Sequence, residues 1–227
     1  MANSVLVIAD SGTGKSTSIR TLDPKETFII NIANKPLPFK GWKSKYTQIT
    51  KDNPKGNLTS AATAPGIIKA MRHVNDKMGH IKTIVVDDWQ YMSSFEYFDR
   101  ANEKGYEKFT QIAANLAQVA KLPKDLREDL TIIFLTHSED STDINGNRKI
   151  KAKTVGKMID NTLTLEGLFS IVLFGKVNKN DDGELIYGFE TQNNGENTCK
   201  SPIGMFDDKF IANDLQFVTS CIEEYNK

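Results

Sequence analysis

The sequence predicts an α/β protein: a mostly parallel central sheet flanked by helices, extended near the C-terminus by an antiparallel hairpin. Three observations lead there. Short aliphatic runs alternate with longer stretches of helical spacing, the pattern of successive β-α-β units. The runs are continuously apolar, as in strands covered on both faces. The chain has 227 residues, 39% hydrophobic and 26% charged, which excludes collagen-like, wholly disordered and disulfide-scaffold classes and suits one elaborated domain, with a core over 1–178 and an extension over 179–227.

The elements follow in order. The run Val5-Leu-Val-Ile-Ala9 gives a first strand over 4–9, and a helix over 15–22 opens after a glycine-rich turn. Further strands are expected over 27–33, 82–87, 130–136 and 169–175, with helices over 65–78, 89–101 and 106–121. In the last helix Tyr106, Phe109, Ile112, Ala113, Leu116 and Ala120 recur every third or fourth residue. Beyond the fifth strand, 169–178 and 184–191 flank the turn sequence Asn180-Asp-Asp-Gly183 and read as a hairpin. Residues 192–204 read as an irregular loop, and a final helix follows, capped by Asn213 or Asp214, with Leu215, Val218, Thr219 and Ile222 on its apolar face.

Several classes are excluded early. The apolar runs fall far below the ~18 residues needed to span a bilayer, and the first, cut by Asp10 and Lys15, does not read as a signal peptide, so a cytoplasmic location is expected, with no membrane partner. Cys199 and Cys221 lie in no metal-binding or disulfide pattern. Lys plus Arg equals Asp plus Glu at 29 each, so attraction to a polyanion has to come from local patches.

The most specific feature is Ala9-Asp-Ser-Gly-Thr-Gly-Lys-Ser16, placed between a strand and a helix. A triphosphate needs backbone N–H groups curled around it and glycines that permit the curl. This is the Walker A arrangement, with Ala9 where its first glycine stands. Asp10, Ser11, Gly12, Thr13, Gly14, Lys15, Ser16 and Thr17 are the candidate nucleotide contacts. Lys15 is expected to reach the β- and γ-phosphates, Ser16 to ligate Mg2+, and Thr17 to meet the α-phosphate.

A second element, Ile81-Lys-Thr-Ile-Val-Val-Asp-Asp88, is an apolar strand ending in two carboxylates, as a Walker B element requires. Asp87 is the expected partner of a Mg2+-bound water near Ser16; Asp88 either polarises the attacking water or caps the helix that follows. A third strand, Thr131-Ile-Ile-Phe-Leu-Thr-His137, ends in Thr136 and His137, candidate sensors of the γ-phosphate. The strand and helix between Walker A and Walker B match a RecA or AAA+ layout. Nucleotide kinases need an arginine-rich lid, and the basic residues here are mostly lysines.

Two basic patches stand out. Lysines 35, 40, 43, 45, 51 and 55 are interleaved with Phe39, Trp42 and Tyr46, cations and rings suited to single-stranded nucleic acid, with Lys35, Lys40, Trp42 and Lys43 the leading contacts. The alternative is a solvated loop pinned by buried aromatics. The second patch, Arg148-Lys-Ile-Lys-Ala-Lys-Thr-Val-Gly-Lys157, lies in a long connection from about 138 to 168. Its Lys149, Lys151, Lys153 and Lys157 are candidates for DNA contact or for reaching a neighbouring subunit's ATP site.

Taken together, Ala9–Thr17, Phe28-Ile-Ile-Asn31 with Lys35-Pro-Leu-Pro-Phe-Lys-Gly41, Ile84–Asp88, Phe134–His137, Lys153–Lys157, Ser201-Pro-Ile-Gly-Met-Phe206 and Ile211–Asp214 resemble the successive signatures of a family of small phage-encoded, RecA-like P-loop ATPases associated with single-strand annealing and recombination. The resemblance spans nearly the whole chain and implies ATP binding and a homo-oligomer, ring or filament, working near single-stranded DNA, with a single-strand-binding or replication protein as a further partner. One departure has consequences: RecA-type enzymes carry a catalytic glutamate after the second strand, whereas this chain reads Asn31-Ile-Ala-Asn-Lys35. Lys15, Asp87, Asp88 and His137 are therefore the candidate catalytic set. The expected function is Mg2+-dependent ATP binding and hydrolysis on single-stranded DNA, the alternative an ATP-gated adaptor or helicase loader with little hydrolysis.

Overall fold

The computed structural model describes residues 1–142, 146–155 and 163–227. Its strands are β1 (Asn3–Ala9), β2 (Thr27–Asn31), β3 (Leu58–Thr59), β4 (Thr83–Asp87), β5 (Thr131–Thr142), β6 (Arg148–Ala152), β7 (Ile171–Lys179), β8 (Leu185–Glu190) and β9 (Phe210–Ala212). The helices are α1 (Trp42–Lys45), α2 (Ala64–Lys77), α3 (Gln90–Asp99), α4 (Glu107–Lys121) and α5 (Leu215–Tyr225). The sheet runs β3-β2-β4-β5-β1-β7-β8-β9, with β6 paired to β5. Pairing is parallel from β3 through β7 and antiparallel for β7-β8, β8-β9 and β5-β6. The expected α/β class with its C-terminal antiparallel extension is what the chain adopts.

The continuous apolar runs supply both faces of the sheet. In β1, Leu6 and Ile8 join one cluster with Ile84, Val86, Ile132, Phe134 and the inner faces of α2 and α4. Val5 and Val7 point the other way and pack with Val85, Ile133, Leu135, Leu173 and the Leu215, Val218 and Ile222 face of α5. The two-residue alternation of side chains along a strand thus gives each strand two buried sides. Local chemistry sets the helix starts: Thr63 Oγ1 accepts from Gly66 N ahead of α2, and Asp214 Oδ1 accepts from Phe217 N at 3.0 Å ahead of α5.

Three expectations need correction. The segment after the glycine-rich loop is a six-residue 3-10 helix, Ser16–Thr21, rather than an α-helix over 15–22. The connection from about 138 to 168 contains regular structure, because β5 continues to Thr142 and pairs with β6. Its polar, charged sequence hides this; one face of that ribbon is solvent-facing and its cross-strand contacts are Arg148–Asp140 at 2.8 Å and Lys151–Glu139 at 3.1 Å. The aromatics of the first basic patch are not free rings: Tyr46 is 2% exposed and meets Phe39 edge to face at 6.3 Å, and Phe39 and Trp42 pack against the core beneath.

Candidate nucleotide site

β1 and β4 end at one edge of the sheet, beside the His137 stretch of β5, and the loop after β1 rises there. Gly12 and Gly14 both have positive φ, 83° and 91°, so the curl of this loop uses conformations that favour glycine. The cradle rests on the loop itself, since a six-residue 3-10 helix adds little dipole. Thr13 Oγ1 donates to Asp10 O at 2.8 Å and braces the turn. Ala9, in place of the first glycine, pairs with Gly175 of β7, where an added Cβ would lie 2.6 Å from the Ala9 Cβ. The neighbouring strand therefore supplies the glycine that the loop lacks.

Lys15 is buried and donates to Ala9 O and Asp10 O, both at 2.7 Å. Desolvation lowers its pKa to about 8, against the opposing pull of Asp88, Asp87 and Asp10. Ser16 Oγ donates to Asp87 Oδ1 at 2.8 Å, joining residues 71 apart in the chain. Burial, and then the charge of Asp88, raise the Asp87 pKa to about 6. A hydroxyl and a carboxylate in contact beside a phosphate-binding loop form a hard oxygen donor pair of the kind Mg2+ takes. The residues therefore fit the cation: Ser16 would ligate it and Asp87 would hold one of its waters.

Asp88 sits at φ +58°, an uncommon conformation for a residue with a side chain. Its side chain is 3% exposed, with Lys35 Nζ at 2.5 Å from Oδ2 and His137 Nε2 at 3.6 Å from Oδ1. Burial pushes this carboxyl up, but His137 and Lys35 outweigh it and the net direction is down. Asp88 is thus held ionised beside a neighbour whose pKa is raised. The Lys35 loop is fixed by Asn31, whose Nδ2 donates to Lys35 O at 2.6 Å, and Lys35 lies 5.7 Å from the centroid of the Tyr91 ring. Gln90 Oε1 accepts from Thr136 Oγ1 at 3.4 Å and from His137 N at 3.2 Å, tying the middle of β5 to α3.

A cleft of about 620 Å³ brings together Ser11, Gly12, Gly14, Lys15, Ser16 and Thr17 with Lys35, Asp88 and His137, a size suited to a small-molecule ligand. Asp87 lies beneath Ser16, while Asp10 forms a short contact with Ser138 Oγ on β5. Lys40 and Lys43 are exposed outside the cleft, with Lys43 Nζ 5.8 Å from the Trp42 ring centroid. Lys149 and Lys151 lie on β6, where Lys149 Nζ donates to Gly195 O and Lys151 faces Glu139; Lys153 follows and donates its backbone N–H to His137 O at 2.8 Å. Lys157 lies outside the described residues.

Residues not expected as nucleotide contacts also line the cleft: Arg20, Pro38, Tyr91, Tyr187 and Asn213. Of the two candidate caps, Asp214 caps α5 and Asn213 lines the cleft. The Ile211–Asp214 segment was legible as a signature but not as a wall of the cleft. Among the described residues, no group of three or more His, Cys, Asp and Glu forms a metal cluster, and no helix is long and apolar enough to cross a membrane. A family model described as an AAA domain matches residues 1–203. No curated protein matches the chain.

Proposed function

The chain belongs to the AAA-domain family of nucleotide-binding ATPases, and from that premise we propose that it is a Mg2+-dependent ATPase acting on single-stranded DNA as a homo-oligomer in phage recombination or replication. The observation that carries the ATPase reading is the meeting of Ser16 with Asp87 at 2.8 Å beside the buried Lys15, with the ionised Asp88 lining the same cleft. The DNA reading is supported by the loop that starts at Lys35 inside the cleft and carries the exposed lysines 40, 43, 45, 51 and 55 away from it. The phage setting and the oligomer rest on the resemblance of the successive signature segments.

The residues divide the work by position. Loop N–H groups and Lys15 hold the β- and γ-phosphates, and Ser16 with Asp87 holds the cation. Bound Mg2+ supplies charge neutralisation across the phosphate oxygens. For hydrolysis Asp88 would take a proton from the attacking water once Lys35 leaves Oδ2, while His137 at Oδ1 holds the carboxylate in place; the water oxygen bonds to the γ-phosphorus as its bond to the β-γ bridging oxygen breaks, and ADP leaves.

The same site favours a second reading. Lys35, on the loop after β2, occupies Asp88, and no glutamate follows β2, so the candidate base is neutralised by a cation from a different loop. An ATP-gated adaptor or helicase loader with little hydrolysis fits that arrangement. Phosphate release and oligomeric mass, measured with and without single-stranded DNA and with Lys15→Ala as the blank, decide between them. DNA-stimulated turnover with assembly supports the ATPase reading; tight ATP binding without turnover or DNA response supports the adaptor.

A further inference from the structure

On the opposite flank of the phosphate loop from the two aspartates, a buried amide joins distant parts of the chain. Asn213 is 4% exposed; its Nδ2 donates to Gly14 O at 3.2 Å, and its Oδ1 accepts from Arg20 Nη1 at 2.8 Å. Its backbone N–H donates to Tyr187 O at 3.2 Å. The strap continues, since Thr21 Oγ1 accepts from Leu215 N at 3.1 Å and Gln216 N at 3.3 Å, and Gln216 Oε1 accepts from Asp23 N at 3.3 Å. Residues 213–216 are therefore laced along the 3-10 helix that follows the phosphate loop, and Tyr187, Arg20 and Asn213 all line the cleft.

Strand order gives the cleft a direction. β4, which Asp88 directly follows, and β5, which carries His137, lie on one side of β1, whereas β7, β8 and β9 lie on the other, with Tyr187 on β8 and Asn213 directly after β9. A triphosphate seated in the loop with its γ end toward Asp88 sends its nucleoside toward Tyr187 and Arg20. The chemistry at that end is flat. Tyr187 is 42% exposed, and the exposed Arg20 guanidinium is held by Thr17 O at 3.0 Å and by Asn213. Reading a base by its edge needs a donor and acceptor turned toward it, and the Asn213 amide is turned instead toward Gly14 and Arg20.

We propose that Tyr187, Arg20 and the Asn213 strap form the nucleoside end of the site, which takes nucleoside triphosphates by the face of the base and discriminates little between adenine and guanine. The inference rests on the phosphate-loop reading above and adds a ligand class and a specificity wall to it. The tripolyphosphate anion separates the two, because it carries the phosphates without a nucleoside.

The experiment is equilibrium binding of ATP, GTP and inorganic tripolyphosphate, each with Mg2+, to the full chain as wild type, Tyr187→Ala and Tyr187→Leu. Loss of one aromatic face weakens a stacked base by about tenfold. The expected result is that loss for both purine nucleotides in both variants, tripolyphosphate affinity within about twofold of wild type, and wild-type ATP and GTP affinities within about tenfold of each other. An equal loss of tripolyphosphate binding, unchanged ATP affinity, or a purine preference beyond tenfold overturns the nucleoside wall. Wild-type protein that binds tripolyphosphate as tightly as ATP keeps the phosphate loop and overturns the wall. Wild-type protein that binds neither overturns the phosphate-loop reading, and the inference falls with it.

Discussion

Asp87 is buried beneath Ser16 with its pKa raised to about 6, whereas its neighbour Asp88 is held ionised by His137 and Lys35. For Asp87 the folded value lies above the ordinary 3.8, so ionisation costs more in the folded chain than in the unfolded one. Its contribution to stability is complete below about pH 3.8 and is lost as the pH rises to about 6. Asparagine at this position keeps a partner for Ser16 without the buried charge. Asp87→Asn is expected to melt a few degrees above wild type at pH 7.5 without nucleotide, the gain vanishing below pH ~4; equal melting temperatures at pH 7.5 would remove the buried-charge account. Lys15 has a different role. Its ammonium is held inside the phosphate loop by Ala9 O and Asp10 O, so Lys15→Ala is expected to reduce ATP affinity below detection while the far-ultraviolet circular dichroism stays unchanged. A variant that still bound ATP normally would undo the phosphate-loop assignment.

At the scale of elements, β1 and β7 show how a departure from the motif is absorbed. Ala9 faces Gly175, and a methyl at Gly175 would stand 2.6 Å from the Ala9 Cβ, closer than two carbons can approach. Gly175→Ala is expected to destabilise the fold by ~1–3 kcal/mol, as overpacking does, and to weaken ATP binding through the loop that β1 feeds. Ala9→Gly combined with Gly175→Ala exchanges the two and is expected to restore most of the loss, read by chemical denaturation of the four proteins in the cycle. Additive losses would show that the two side chains do not share this space. The wider pattern of elements was legible in the sequence where burial makes the pattern simple. Among the described residues, five of the six parallel strands announce themselves as apolar runs, and Ser16 and Asp87 meet because β1 and β4 end at the same edge. What escaped was structure made by pairing rather than by composition. β3 is two residues long, β6 is charged on one side, and β9 is three residues inside a polar stretch. The cleft residues that were missed, Tyr187, Asn213 and the Lys35 contact with Asp88, come from chain crossings for which no local spacing gives a signal.

Over the whole molecule, 29 basic and 29 acidic side chains leave no net charge, so any grip on single-stranded DNA depends on where cations lack acidic neighbours. The two basic patches differ in this respect. On β6, Arg148 faces Asp140 and Lys151 faces Glu139, so a phosphate drawn to them competes with a carboxylate already in place. On the loop from Lys35 to Lys55, lysines 40, 43, 45, 51 and 55 are exposed, with aromatic side chains folded inward as its anchor. The grip should therefore be mainly electrostatic. Each neutralised phosphate of a single strand contributes about −0.7 to the slope of log affinity against log salt, so four such contacts give a slope of roughly −3. The triple change Lys40→Gln, Lys43→Gln and Lys45→Gln is expected to flatten that slope by about 2 and weaken binding alike across sequences, while Arg148→Gln with Lys149→Gln leaves it nearly unchanged. Titrations of the wild type and both variants at several salt concentrations check this. The opposite ranking would move the DNA path from the Lys35–Lys55 loop to the β5-β6 ribbon, on the same sheet edge but nearer to His137.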